Sequence, residues 1–210
     1  MDTRAHRDSR APSLTHAHAA SAVARALKTF QLGVAKAGDN RQGYDFLVNG
    51  SVRVAVRYAF PTSYREQTYQ KKNGETSRYT YKRWTFNFHR HGKISERYCD
   101  FFVCLLVPSA PTTRNPTDVT AFVIPWEAIT GLTFCSSARD SNPRPYRGRY
   151  ARFGNGWHRI VEAATGGPTT VSNHLSNHPL QLQLDGRGHL TLIGATRPNP
   201  EEDEGSSSNT

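Results

Sequence analysis

The run Asp100-Phe101-Phe102-Val103-Cys104-Leu105-Leu106-Val107 constrains the fold of this 210-residue chain more than any other stretch. Its apolar part is far too short to cross a bilayer, and it lacks the polar–apolar alternation of a strand with one wet face. It reads as a strand covered on both sides, which places it at the centre of a sheet sandwiched between other layers. A chain of this length is most simply one core with ragged ends. The expected class is therefore α/β in the broad sense (α+β): a central mixed sheet flanked by helices.

Other elements arrange themselves around that strand. Ala22, Val23, Ala26, Leu27, Phe30 and Val34 recur at helical spacing, predicting a first helix within Ser13 to Ala37 that ends at Gly33 or Gly38. Two strands follow, Tyr44 to Val48 and Val52 to Phe60, joined across Asn49-Gly50, the dipeptide that most readily takes the positive φ angles of a tight hairpin. Pro61 cannot donate to a ladder and should end the second strand. Residues 62–82 are polar, aromatic and basic and read as an irregular segment. Trp84, Phe86 and Phe88 then share one face of a strand from Arg83 to Arg90, closed by a turn at His91-Gly92. A short strand, Thr120 to Ile124, leads to Pro125, which opens a helical turn. Residues 136–152 read as a loop, and Gly156 to Ala163 as a last short helix anchored in the core by Trp157 and Ile160.

Past Gly166-Gly167-Pro168 the pattern changes. Leu180, Leu182 and Leu184 alternate with glutamines, Asp185-Gly186-Arg187-Gly188 turns, and Leu190 and Leu192 alternate again, which predicts an added C-terminal β-hairpin. The chain divides into a disordered basic start (1–12), a core domain (13–163), a linker and hairpin (164–196) and an acidic low-complexity tail (197–210) that could fold back on a basic face.

The charge narrows the partner. Lys and Arg number 27 against 17 Asp and Glu, a formal net charge of +10, and 21 of the 27 are Arg. A planar guanidinium fork matches phosphate, so this balance favours a polyanion over an acidic small molecule. Residues 65–97 hold nine basic against three acidic residues, with Tyr64, Tyr69, Tyr79 and Tyr81 interleaved. Lys71, Lys72, Arg78, Lys82, Arg83 and Arg90 are the contacts expected to lie along a phosphate backbone while tyrosines stack on exposed bases; the alternative is a solvated face whose tyrosines cover a sheet edge. A second cluster, Arg139, Arg144, Arg147, Arg149 and Arg152, opposes only Asp140. Cys99, Cys104 and Cys135 make no CxxC pair, which argues against a disulfide framework or structural zinc. His174 and His178 stand four apart, but poor helix formers and Pro179 surround them. A cytoplasmic protein with no membrane span is expected.

Asp45 and Arg57 bracket the first hairpin. Together with Tyr44-Asp45-Phe46-Leu47-Val48, Asp100-Phe101-Phe102-Val103, Phe122-Val123-Ile124-Pro125 and the segment from Arg149-Tyr150-Ala151 to Trp157, the order of elements over residues 13–163 resembles the PD-(D/E)XK nuclease superfamily, in the branch of group I intron endonucleases and Holliday-junction-resolvase-like proteins. The resemblance implies a restriction-endonuclease-like fold, duplex or branched DNA as partner, a homodimer, and Mg²⁺-dependent phosphodiester hydrolysis. It makes Asp45 the first metal ligand and Arg57 the cation beside the scissile phosphate. The triplet that should read acid-x-Lys is Ala55-Val56-Arg57, so the second ligand is missing and the lysine is an arginine, which still stabilises phosphate charge but keeps its proton at ordinary pH and cannot relay one. Asp39, Glu66 and Asp100 are the acids able to replace it, with Asp100 foremost as the head of the neighbouring buried strand. Three functions follow: a DNA-binding protein on a nuclease-like fold with weakened or lost hydrolysis; a divergent Mg²⁺ endonuclease using Asp45 and Asp100; or a non-catalytic protein-interaction module docking through its C-terminal hairpin.

Overall fold

The computed structural model describes residues 14–38, 42–61, 63–88, 97–107, 117–131, 133–139, 148–177, 180–185 and 189–193. Both expected terminal arms, Asp39, Arg90, the His91-Gly92 turn, Arg144, Arg147 and His178 lie outside these residues.

Helix α1 spans His16–Thr29 and buries Ala19, Ala22, Val23, Ala26 and Leu27 on one face. Thr15 caps it, its hydroxyl accepting the His18 N–H at 3.3 Å. The helix is shorter than its periodicity suggested. Phe30 and Gln31 N–H groups close on Leu27 and Lys28 carbonyls, and Gln31, not a glycine, takes the left-handed conformation at φ 61°. Residues assigned to the helix's end instead form β1 (Val34–Lys36), an edge strand in register with β2 (Phe46–Val48). Asn49 and Gly50 turn at φ 46° and 71°, Ser51 N–H donates to Val48 O, and β3 (Val52–Ala59) begins with Val48 facing Val52.

The next segment corrects the sequence reading. Residues taken as irregular form β4 (Ser63–Gln70) and the first half of β5 (Thr76–Asn87), paired from Ser63↔Arg83 to Gln70↔Thr76 around a turn with Gly74 at φ 82°. Threonine and tyrosine alternate here with charge, so strand propensity was present under a polar composition. The central strand is β6 (Phe101–Leu106), followed by β7 (Thr117–Pro125), longer at both ends than expected, and a 3₁₀ turn over Trp126–Ala128. Part of the expected Arg-rich loop is β8 (Thr133–Arg139), paired with β5 from Asn87↔Thr133 to Tyr81↔Arg139. A 3₁₀ turn at Ala151–Phe153 precedes α2 (His158–Thr165) and α3 (Thr170–Asn177); the hairpin is β9 (Gln181–Leu184) and β10 (Leu190–Ile193). Helix α3 was not anticipated. Thr169 and Ser172 cap it reciprocally, each side-chain oxygen accepting the other's backbone N–H at 3.1 and 2.8 Å, which offsets the poor propensities that follow.

The main sheet has seven strands in the order β1-β2-β3-β6-β7-β9-β10, and β4-β5-β8 form a second, three-stranded sheet. In the seven-stranded sheet β3 and β6 are parallel and the other neighbours antiparallel, so the sheet is mixed and the α+β expectation holds. The C-terminal hairpin extends this sheet through Thr117↔Leu184 to Val119↔Leu182. Residues alternate cleanly between two cores. Val54, Val56, Val103 and Leu105 face α1, Trp157 and Ile160, whereas Ala55, Phe102, Cys104 and Phe122 face Trp84, Phe86 and Phe88. The second sheet is thus laid over the face opposite the helices, and Trp84 Nε1 donates to Val107 O at 2.5 Å to fix it there. Among the described residues no helix is long and apolar enough to cross a membrane.

Phe102 sits at the middle of the aromatic layer, its ring 4.8, 5.8 and 5.9 Å from those of Phe88, Tyr98 and Trp126. Truncating it to alanine should cost about 3–5 kcal/mol of unfolding free energy in urea titration, whereas Leu106→Ala, at the half-buried end of the same strand, should cost clearly less. Equal losses would contradict burial on both faces of β6.

Candidate functional site

Strand β2 stops pairing at Phe46↔Val54 because the next residue uses its side chain where a strand would use its backbone. Asp45 N–H still donates to Val54 O at 2.8 Å, but the Val56 N–H is taken by Asp45 Oδ2 at 2.7 Å. The other oxygen, Oδ1, lies 2.7 Å from His16 Nε2 in the first turn of α1. On the far side Arg57 Nη1 stands 3.9 Å from Oδ2 and donates to the Val56 carbonyl at 2.8 Å, with its guanidinium carbon 5.7 Å from the centre of the Phe102 ring. The Asp45 carboxylate is 20% exposed, Arg57 29% and His16 51%, so the group opens to solvent on the histidine side. The expected pair, Asp45 and Arg57, is therefore brought together, and a histidine joins it.

Sequence reasoning missed His16 because only acids were considered as replacements for the missing ligand. The available signal was its place directly after Thr15, at the start of a helix whose first turn carries no acid.

Asp100 is not brought to this group. It heads β6 on the opposite edge of β3, two strand spacings or roughly 10 Å from Asp45. Its Oδ2 accepts the Arg53 backbone N–H at 2.7 Å, its Oδ1 accepts Arg53 Nη2 at 3.2 Å and Arg97 Nη2 at 2.7 Å, and Arg97 reaches on to Glu127 at 2.6 Å. Burial alone would raise its pKa, but the hydrogen bonds from Arg53 and Arg97 more than offset that and hold the carboxyl below its ordinary range. The same pairing raises Arg53. This carboxylate is occupied as an ionic clasp between β3, β6 and the turn after β7.

These donors do not fit a hard divalent cation. Mg²⁺ needs converging oxygens, yet both Asp45 oxygens already have partners, Ala55 is fully buried with no donor to give, and Asp100 is held elsewhere. Among the described residues no three His, Cys, Asp or Glu side chains cluster as a metal site. Burial pushes the Cys99 and Cys104 thiols up, which makes both poor nucleophiles.

The basic residues fall on the second sheet. Lys71 and Lys72 are exposed at the β4–β5 turn, Lys71 with Glu75 at 3.0 Å, and Arg83 is exposed on β5. Arg78 and Lys82 lie within β5, and Arg139 ends β8. Of the second cluster, Arg149 donates to Thr130 Oγ1 and Arg152 lies over the Phe153 ring at 4.8 Å. His174 lies on α3 and belongs to no group of three or more His, Cys, Asp or Glu side chains among the described residues.

No protein-family model matches this chain, and no curated protein does. Among solved structures it is similar to a bacterial homing endonuclease, I-Ssp6803I, at 16% identity over 70% of this chain and 91% of that one, with a TM-score of 0.42. A likeness of that extent does not assign the chain to a family.

Because the Asp100 pKa is lower folded than unfolded, the clasp contributes stability above about pH 4, the ordinary carboxylate range, and loses it as the pH falls through the folded value. Asp100→Asn should cost about 1–2 kcal/mol at pH 7, allowing for partial solvent screening. Chemical denaturation at pH 7 and pH 3 should show the gap between wild type and variant closing on the acid side; a gap independent of pH would contradict the clasp.

Proposed function

We propose that this chain binds DNA on a nuclease-like fold of the PD-(D/E)XK kind, and that its hydrolysis of phosphodiesters is weak or lost. The observation that carries the reading is the basic β4–β5 ribbon. Among the described residues pairing with β8 runs to Tyr81↔Arg139 whereas β4 and β5 continue to Gln70↔Thr76, which gives a two-stranded tip with exposed Lys71 and Lys72 at its end. Such a ribbon has the width that the major groove of B-DNA admits, and the run it belongs to carries nine basic against three acidic residues. Affinity comes chiefly from phosphate neutralisation, which requires no metal.

The Asp45 group supports the second half of the proposal. Arg57 supplies a permanent positive charge beside the sheet opening and can hold a phosphate. Asp45 is engaged in closing the sheet against Val56 and orienting His16, and the residue that should complete a cation site is the buried Ala55. The group therefore retains phosphate recognition and lacks the means to hold a metal and activate water. Mg²⁺ is accordingly not assigned a role.

Charge reversal in one variant, Lys71→Glu with Lys72→Glu and Arg83→Glu, should weaken duplex binding and lower the slope of log affinity against log salt by up to about 3, near 0.9 per lost phosphate contact. Asp45→Ala should leave affinity and slope unchanged. Fluorescence anisotropy across a salt series reads both. An unaltered slope in the charge-reversed protein would remove the ribbon from the interface, and Mg²⁺-dependent cleavage abolished by Asp45→Ala would restore a working nuclease.

A further inference from the structure

The two faces of the three-stranded sheet carry different chemistry. On β5, Trp84 and Phe86 are buried against the main sheet, while Arg83 and Asn87 are exposed and Thr85 is half-buried. Alternate residues of a strand share a face, so the odd-numbered positions of β5 belong to the outer face. Pairing carries that division across the sheet without a bulge, from Ser63↔Arg83 to Gln70↔Thr76 on one side of β5 and from Tyr81↔Arg139 to Asn87↔Thr133 on the other. Residues directly opposite one another share a face. The register therefore puts Arg65, Tyr81 and Arg139 in one outer row across three strands, Tyr79 in the next row beside Gln67, and Arg83 between Ser63 and Ser137.

No acid falls in these rows. The three strands contain a single carboxylate, Glu66, and its pairing with Thr80 assigns it to the inner face. Glu75 lies in the tip turn, paired with Lys71 at 3.0 Å. Lys82 and Arg78 pair with Tyr64 and Thr68 and so take inner positions. The residues read from the sequence as one line of contacts are thus divided between two faces, and Arg139 from the second basic cluster joins the outer one. An Arg-rich face without acid positions attracts a polyanion. Tyr79 and Tyr81, two residues apart on one strand, stand roughly 7 Å from each other. A duplex keeps its base faces inside the stack, whereas aromatic residues on an open sheet stack on bases where a strand is unpaired.

We propose that the outer face of β4, β5 and β8 is a platform for an unpaired DNA strand, with Tyr79 and Tyr81 stacking on bases while Arg65, Arg83 and Arg139 take phosphates. The platform rests on the DNA binding proposed above and specifies the form of DNA: a duplex gripped at the ribbon tip by Lys71 and Lys72, with an unpaired strand running on over the sheet.

The test is fluorescence anisotropy of the full chain with a labelled single-stranded thymidine oligonucleotide and with a labelled duplex of the same length, each across a salt series. The wild type should bind both. Tyr79→Thr with Tyr81→Thr, which keeps strand propensity, should lower single-strand affinity about tenfold or more, leaving its salt slope and the duplex affinity unchanged. Arg65→Gln with Arg139→Gln should lower the single-strand slope by up to about 1.4, at about 0.7 per lost phosphate contact. A wild type that binds duplex but not single strand overturns the platform and leaves the DNA reading standing; binding to neither overturns both. A tyrosine variant that weakens both forms equally, or neither, overturns the stacking. Should that variant fail to fold, the arginine pair decides, and an unchanged single-strand slope there removes this face from the interface.

Discussion

The parallel pairing of β3 with β6 is the contact on which the other parts of this molecule depend. Its register, from Val54↔Phe101 to Ala59↔Leu106, alternates residues between two separate cores, so a slip of one residue would exchange the valine face for the aromatic face. Parallel strands need cover on both sides, and each layer supplies it with different chemistry. Helices α1 and α2 bring small and branched residues, while the second sheet brings Trp84, Phe86 and Phe88.

The two carboxylates of interest stand on the two edges of β3 and perform related tasks. Asp100 secures the start of the parallel pair by accepting the Arg53 N–H and bridging to Arg97. Asp45 ends the antiparallel pairing on the other edge by accepting the Val56 N–H, which leaves β2 diverging and opens the sheet beside Arg57 and His16. Each acid is thereby explained by backbone satisfaction that a buried sheet requires. That structural duty is what leaves so little coordinating capacity at a place where the sequence resemblance suggests a metal.

Much of the frame was legible because its signals are local. The run Phe101–Leu106, the Asn49-Gly50 turn, the Trp84-Phe86-Phe88 face and the Leu180-Leu182-Leu184 alternation each declared an element from a few residues. What stayed hidden depended on partners distant in sequence. Strand β1 is three residues long and exists only because Val48 lies opposite Val34. The β4–β5 ribbon was masked by charge and β8 by its small residues Ser136, Ser137 and Ala138, and their pairing partners are what make strands of them. Of the site, Asp45 and Arg57 could be read from the hairpin's two ends, but His16 comes from 29 residues before Asp45 and the clasp on Asp100 joins residues 47 apart.

Binding of the purified protein to labelled duplex and four-way-junction DNA across a salt series, followed by addition of Mg²⁺, tests the central claim most directly. The account predicts affinity that falls steeply and linearly on a log–log salt plot, with the DNA recovered intact. Absence of binding at about 0.15 M salt, where exposed charges more than about 8 Å apart are largely screened, would contradict it and leave the charge without a nucleic-acid role.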